Sequence, residues 1–192
     1  MSDEFLRCIR KKIELIVQSI QDNRNEWIIW SDVDILFFDG LGQALQNVIG
    51  QANGKMLFFQ KETKSDGEVN TGFILIQCCE TTERFFREVG QRLEVERDKN
   101  EQAIENIMLQ EGVIDCWGYL PVNFVARTHG WPPLRHKMIY HANYTVGSDG
   151  VGQKIRQFKA IRSMDRFGFP AICYFVFLRS LEKLSGLVKF KN

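Results

Sequence analysis

A chain of 192 residues, 44% of them hydrophobic and 26% charged, can bury the core of one domain. A formal net charge of +1, with no basic stripe that stands out, argues against a nucleic-acid partner. The start, Met1-Ser2-Asp3-Glu4, does not read as a secretory signal, and the most apolar late stretch, Phe169 to Leu178, is too short to span a bilayer. A cytoplasmic chain without a transmembrane segment is therefore expected. Phe5, Ile9, Ile13, Ile16, Val17 and Ile20 recur at helical spacing and predict an amphipathic helix over 4–20, with Arg10-Lys11-Lys12 on its polar face. Residues 27–31 and 33–38 read as one buried strand interrupted by two acids, ended by Asp39-Gly40 and followed by a short helix near 41–49. Lys55 to Gln60 predicts a second buried strand, Lys61 to Val69 a polar loop turning at Asp66-Gly67, and Phe73 to Cys78 a third strand. Thr81 or Thr82 can cap a helix through Phe85, Phe86, Val89 and Leu93, and Asn100 another through Ile104, Ile107 and Met108.

Short apolar pieces at 113–120 and 122–126 follow, then a Pro- and Gly-containing loop over 127–137, a short strand at 138–140 and a basic helix from about 153 to 162. His129 and His136 fall in the loop and read as surface residues. Phe169 to Leu178 reads first as a core segment and second as a surface patch that touches a partner or membrane. Strands alternating with helices predict one α/β domain over 1–192, a mixed sheet flanked by helices, with its core at about 5–160 and a helical extension at about 161–192. Cys8, Cys78, Cys79, Cys116 and Cys173 lack zinc-site spacing and read as buried free thiols of a reducing compartment.

The strongest chemical signal is Asp32-Val33-Asp34. An ionised Asp inside an apolar run is costly unless it is paired or bound to a metal. Strand alternation places both carboxylates on one side. At a strand's carboxyl end they would face the crevice where α/β sheets bind ligands. Such oxygen donors suit Mg2+ or Mn2+, which also take diphosphate oxygens. The bland alternative is a strand end with two solvated acids. Asn70-Thr71-Gly72-Phe73 offers hydrogen bonds and close backbone approach at the mouth of a strand, or is an ordinary turn. His141 precedes Asn143, Gly147 and Lys154. The His could complete a metal shell and the Lys could neutralise a phosphate leaving group. Glu101 and Gln102 open a helix, where acids also simply complement the dipole.

Taken in order, these residues resemble the nucleotide-diphospho-sugar transferase family, which has the Rossmann-like glycosyltransferase-A fold. The matching pieces are Asp32-Val33-Asp34, Phe58-Phe59-Gln60, Asn70-Thr71-Gly72-Phe73, Asn100-Glu101-Gln102, and His141-Ala142-Asn143 with Gly147 and Lys154. The resemblance implies transfer of a sugar from a nucleotide-diphosphate donor to a hydroxyl acceptor. It implies Mn2+ or Mg2+ held by Asp32, Asp34 and His141. It places Asn70, Thr71, Gly72, Asn143, Gly147 and Lys154 around donor and acceptor, and Glu101 and Gln102 near the reacting sugar. Inversion and retention both stay open. Only one predicted helix precedes Asp32, so the resemblance also implies that the family's amino-terminal nucleotide-binding strands are missing and that a partner chain could complete the site. A non-catalytic partner module and a metal-dependent phosphohydrolase are the alternatives.

Overall fold

The computed structural model describes residues 3–64, 67–145 and 148–177. Helix α1 (Asp3–Asp22) follows the predicted period, but its buried stripe is Leu6, Ile9, Ile13, Ile16 and Ile20. Phe5 points outward, and Lys12 lies on the buried side rather than on the polar face. The expected strand over 27–38 is two strands, β1 (Trp27–Ser31) and β2 (Ile35–Phe37). They belong to different sheets. The two acids are the link between those sheets, and that link explains why the apolar run is interrupted where it is.

Helix α2 (Leu41–Gly50), β3 (Leu57–Lys61), β4 (Val69–Gln77), α3 (Glu80–Val95) and α4 (Glu101–Gln110) follow the expected order. Strand β4 begins four residues earlier than Phe73 and takes in Asn70-Thr71-Gly72, which therefore lie within a strand rather than in a turn. Asn100 caps α4 as expected by accepting from Ala103 N. The cap of α3 is Cys79, while Thr82 sits in the first turn, accepts from Cys79 N and donates to Gln77 O. Three short strands, β5 (Trp117–Tyr119), β6 (Phe124–Ala126) and β7 (Ile139–His141), precede α5 (Gly150–Phe167). Residues 169–177 form a further helix, here α6. Helix α5 runs through the expected core boundary near 160. Of the expected sites, Gly147 lies outside the described residues, as do Asp66 and Leu178.

The first sheet has the order β1-β4-β3-β5, and the second β2-β7-β6. Both mix parallel and antiparallel pairs. Strand β4 is buried on both faces. Ile74 and Ile76 meet α1, α3 and α4, whereas Phe73 and Leu75 meet α2 and the second sheet. Helix α5 closes the far side with Ile161 and Met164 against Val125 and Tyr140. Each such side chain contributes about 1.5–3 kcal/mol on full burial. No helix among the described residues is long and apolar enough to cross a membrane.

A bulge interrupts the ladder beside the acids. Phe59 pairs with Ile74, but Gln60 pairs with Asn70, so Thr71, Gly72 and Phe73 arch out of register. Bulges re-aim side chains and are frequent next to functional sites. Here the arch carries Gly72 O to Asp32 N at 2.7 Å.

Candidate active site

Each aspartate of the link is stitched to a different sheet. Asp32 N donates to Gly72 O on the arch of β4, and Asp34 O accepts from Ala142 N at 3.0 Å, just past β7. Val33 between them points fully into solvent. Ligand-capable atoms of Asp32, Asp34 and His141 lie within 4.8 Å of one another. This convergence comes from a tight link between sheets rather than from alternation along one strand.

His141 is buried, and its ring is oriented from behind. Gln60 Nε2 donates to Phe124 O at 3.0 Å, which turns Gln60 Oε1 towards His141 Nδ1, also at 3.0 Å. An amide oxygen accepts only, so Nδ1 carries a proton. His141 Nε2 then faces Asp34 Oδ1 at 3.3 Å. A partner that fixes one ring nitrogen in this way is the usual support of a metal-binding imidazole. Two carboxylates and an imidazole Nε2 form a donor set that fits a divalent cation such as Mn2+.

Two lysines also serve the acids. Lys154, in the second turn of α5, bonds Asp34 Oδ2. Partial burial works to raise the Asp34 pKa, but the bonds from His141 and Lys154 prevail and hold the carboxyl well below its usual range. Asp34 is therefore a fixed negative charge at neutral pH. Lys12 Nζ reaches Asp32 Oδ1 at 3.2 Å, Glu101 Oε1 at 3.1 Å and Thr71 O at 3.0 Å. Burial works against its ammonium, yet Asp32, Glu101 and Glu105 hold its pKa above the ordinary lysine value. Trp30 Nε1 donates to the same Asp32 oxygen as Lys12, at 3.0 Å, which leaves Oδ2 for another ligand.

One turn beyond Glu101, Glu105 is fully buried, and neither carboxyl oxygen has a hydrogen-bond partner among the described residues. Burial pushes its pKa up to about 8, against the pull of Lys12 and with the repulsion of Glu101 and Asp32. Burial thus favours the protonated form of Glu105.

A second cluster adjoins the first through Asn70-Thr71-Gly72. Its hub is Glu62, in the loop after β3. Asn70 Nδ2 and Gln102 Nε2 donate to Glu62 Oε2 at 2.6 and 3.2 Å, and Asn143 Nδ2 donates to Oε1 at 3.1 Å. Gln102 Oε1 also accepts from Thr71 N at 3.3 Å. Three amides from three parts of the chain are therefore held by one carboxylate. The expected residues Asn70, Gln102 and Asn143 come together, and Glu101 pairs with Lys12, whose Nζ also bonds Thr71 O.

The glycines have local reasons. A Cβ at Gly72 would lie 2.2 Å from His141 Cε1. Gly72→Ala is expected to push the ring off Gln60 and Asp34, weaken Mn2+ binding at least about tenfold and cost roughly 1–3 kcal/mol of stability. Calorimetric titration and thermal unfolding of the variant check this, and an unchanged affinity would show that the ring is free to relocate. Gly152 makes room for the Asp149 cap, since a Cβ there would lie 2.3 Å from Asp149 Oδ1.

Sequence reasoning missed Lys12, Glu62 and Glu105. It also misplaced His129, which is buried, with Nδ1 accepting from Ala126 N and Nε2 bonded to Lys61 O. His136 is exposed, as expected. Of the five cysteines only Cys78 is buried, while Cys8 and Cys173 are exposed. A family model described as nucleotide-diphospho-sugar transferase matches residues 1–158. No curated protein and no solved structure matches the chain.

Proposed function

The chain belongs to the nucleotide-diphospho-sugar transferase family, and from that premise we propose that it moves a sugar from a nucleotide-diphosphate donor to a hydroxyl acceptor, in a metal-dependent reaction, at the cleft of Asp32, Asp34 and His141. The observation that carries this reading is the convergence of those three groups, with the ring of His141 oriented by Gln60. Mn2+ or Mg2+ held there would supply a Lewis acid for the departing diphosphate. Lys154 stands beside Asp34 at the start of α5 and would neutralise a diphosphate oxygen. Lys12 bridges Asp32 to Glu101 of α4 and so holds that carboxylate in place. Asn70, Gln102 and Asn143 would meet sugar hydroxyls from positions that Glu62 holds in advance, so little ordering remains to be done on binding. Glu62 and Glu101 place negative charge at that end of the cleft, where an oxocarbenium-like centre would develop.

Isothermal titration of the chain with Mn2+ and a panel of nucleoside diphosphates tests the reading. The expected result is binding of at least one diphosphate that requires the metal. A folded sample with no metal-dependent binding to any of them would sink it. Product analysis with a nucleotide sugar and an acceptor then separates transfer from hydrolysis. A nucleoside monophosphate and a sugar phosphate, with no glycosylated acceptor, would assign a phosphohydrolase instead.

A further inference from the structure

The carboxyl part of the chain differs in charge from the rest. Between 150 and 192 there are nine lysines and arginines against two acids, Asp165 and Glu182, in a chain whose net charge is only +1. The remainder is therefore acidic, and such asymmetry points to a charged partner surface. Lys159, Arg162 and Arg166 share the exposed side of α5 at helical spacing. The Arg166 guanidinium stacks over the Phe167 ring at 5.2 Å. From that ring onward the exposed surface turns aromatic: Phe167 is 61% exposed, Phe169 76%, Tyr174 57% and Phe177 60%. The opposite side of α6, with Ala171, Ile172 and Phe175, packs on the cluster of Val125, Tyr140 and Ile161. Helix α6 is thus apolar on both sides, and the described residues cover one. Over the described residues 169–177, the two readings of this segment, core and surface patch, each hold for one side of the helix.

A helix that is apolar all round belongs in a core or in lipid. Aromatic side chains beside a row of cations match the headgroup region of a bilayer, with its apolar depth and anionic surface. A second copy of the chain would set the same cations against themselves. From these observations we infer that α5 and α6 form a docking face for the surface of an anionic lipid bilayer. Phe169, Tyr174 and Phe177 enter the headgroup layer, and Arg162 and Arg166 hold the face down by charge. The helices lie on the membrane and do not cross it. This inference does not depend on the proposed activity.

Co-sedimentation of the full chain with phosphatidylcholine vesicles, with and without phosphatidylserine, tests it. Binding is expected with phosphatidylserine and is expected to fall steeply with added salt. Removing two cations in Arg162→Gln/Arg166→Gln is expected to weaken binding on the order of 25-fold, about fivefold for each. Phe169→Ser/Phe177→Ser is expected to weaken it at least about tenfold. All four side chains are exposed, so unchanged thermal unfolding certifies that the variants are folded. Equal binding with and without phosphatidylserine would overturn the inference, as would unchanged binding of both variants. A chain that ignores vesicles and self-associates in sedimentation velocity would also overturn it, and would assign the face to a second copy.

Discussion

Replacing Asp34 by Asn is expected to abolish metal-dependent binding of nucleoside diphosphates and, with it, sugar transfer. The substitution keeps the shape and removes the charge that meets His141 and Lys154. The loss should exceed the roughly 10–100-fold cost of removing a supporting partner behind a metal ligand. Asp32→Asn is expected to match it in binding but not in stability. The Asp34 side chain is 14% exposed, and its loss leaves the Lys154 ammonium without its partner; Asp32 is 34% exposed, and Lys12 keeps Glu101. Removing one member of a fully buried pair costs roughly 3–5 kcal/mol; both pairs here cost less, since Lys154 and Asp32 are each 34% exposed, and the Asp34 loss is the larger because Lys154 keeps no second acid among the described residues. Calorimetry on both variants reads the binding, and urea unfolding reads the stability. Either variant retaining wild-type metal affinity would remove that aspartate from the metal shell. The depressed pKa of Asp34 adds a direction in acid. Its contribution is present above the usual carboxylate range and is lost as pH falls through the lower folded value.

The second large effect is expected at Glu105. Its folded pKa is pushed up to about 8 from an ordinary 4.5. Between those values the native chain keeps a proton that the unfolded chain has released, so stability falls as pH rises across that window. The fall is on the order of several kcal/mol by the time both states are ionised. Glu105→Gln cannot ionise and removes this slope. It should resemble the wild type near pH 5 and be clearly more stable near pH 9. Unfolding curves measured across that range decide it. Parallel stability profiles for the two proteins would show that Glu105 does not hold its proton in the folded state.

Legibility in the sequence followed how local each feature is. Helix α1 and strands β3 and β4 announce themselves by period or by apolar run, because each buries its own pattern. Asp32 and Asp34 stand out because charge inside an apolar run needs a reason. That β1 and β2 part into two sheets has no local mark, since an interrupted strand and a link between strands spell alike. Glu62 sits in a loop of ordinary polar composition. It becomes a hub only because residues 8, 40 and 81 positions away fold onto it. Lys12 and Glu105 could have been found. Lys12 falls between Ile9 and Ile16 on the apolar side of α1, and Glu105 between Ile104 and Met108 on that of α4. A charge placed there is either paired or neutral. The aromatic run after Phe167 shows the converse, since composition marks apolar surface without saying which side of it is covered.

The link of Asp32 to Asp34 has one more consequence. It joins the arch of one sheet to the end of β7, the central strand of the other, so the three converging groups exist as a set only while the two sheets are docked. A ligand held by all three would act as a cross-tie over that seam. Binding would then appear first as slowed hydrogen exchange at Asp32 N and Ala142 N, the two amides that stitch the seam, before any global change in unfolding.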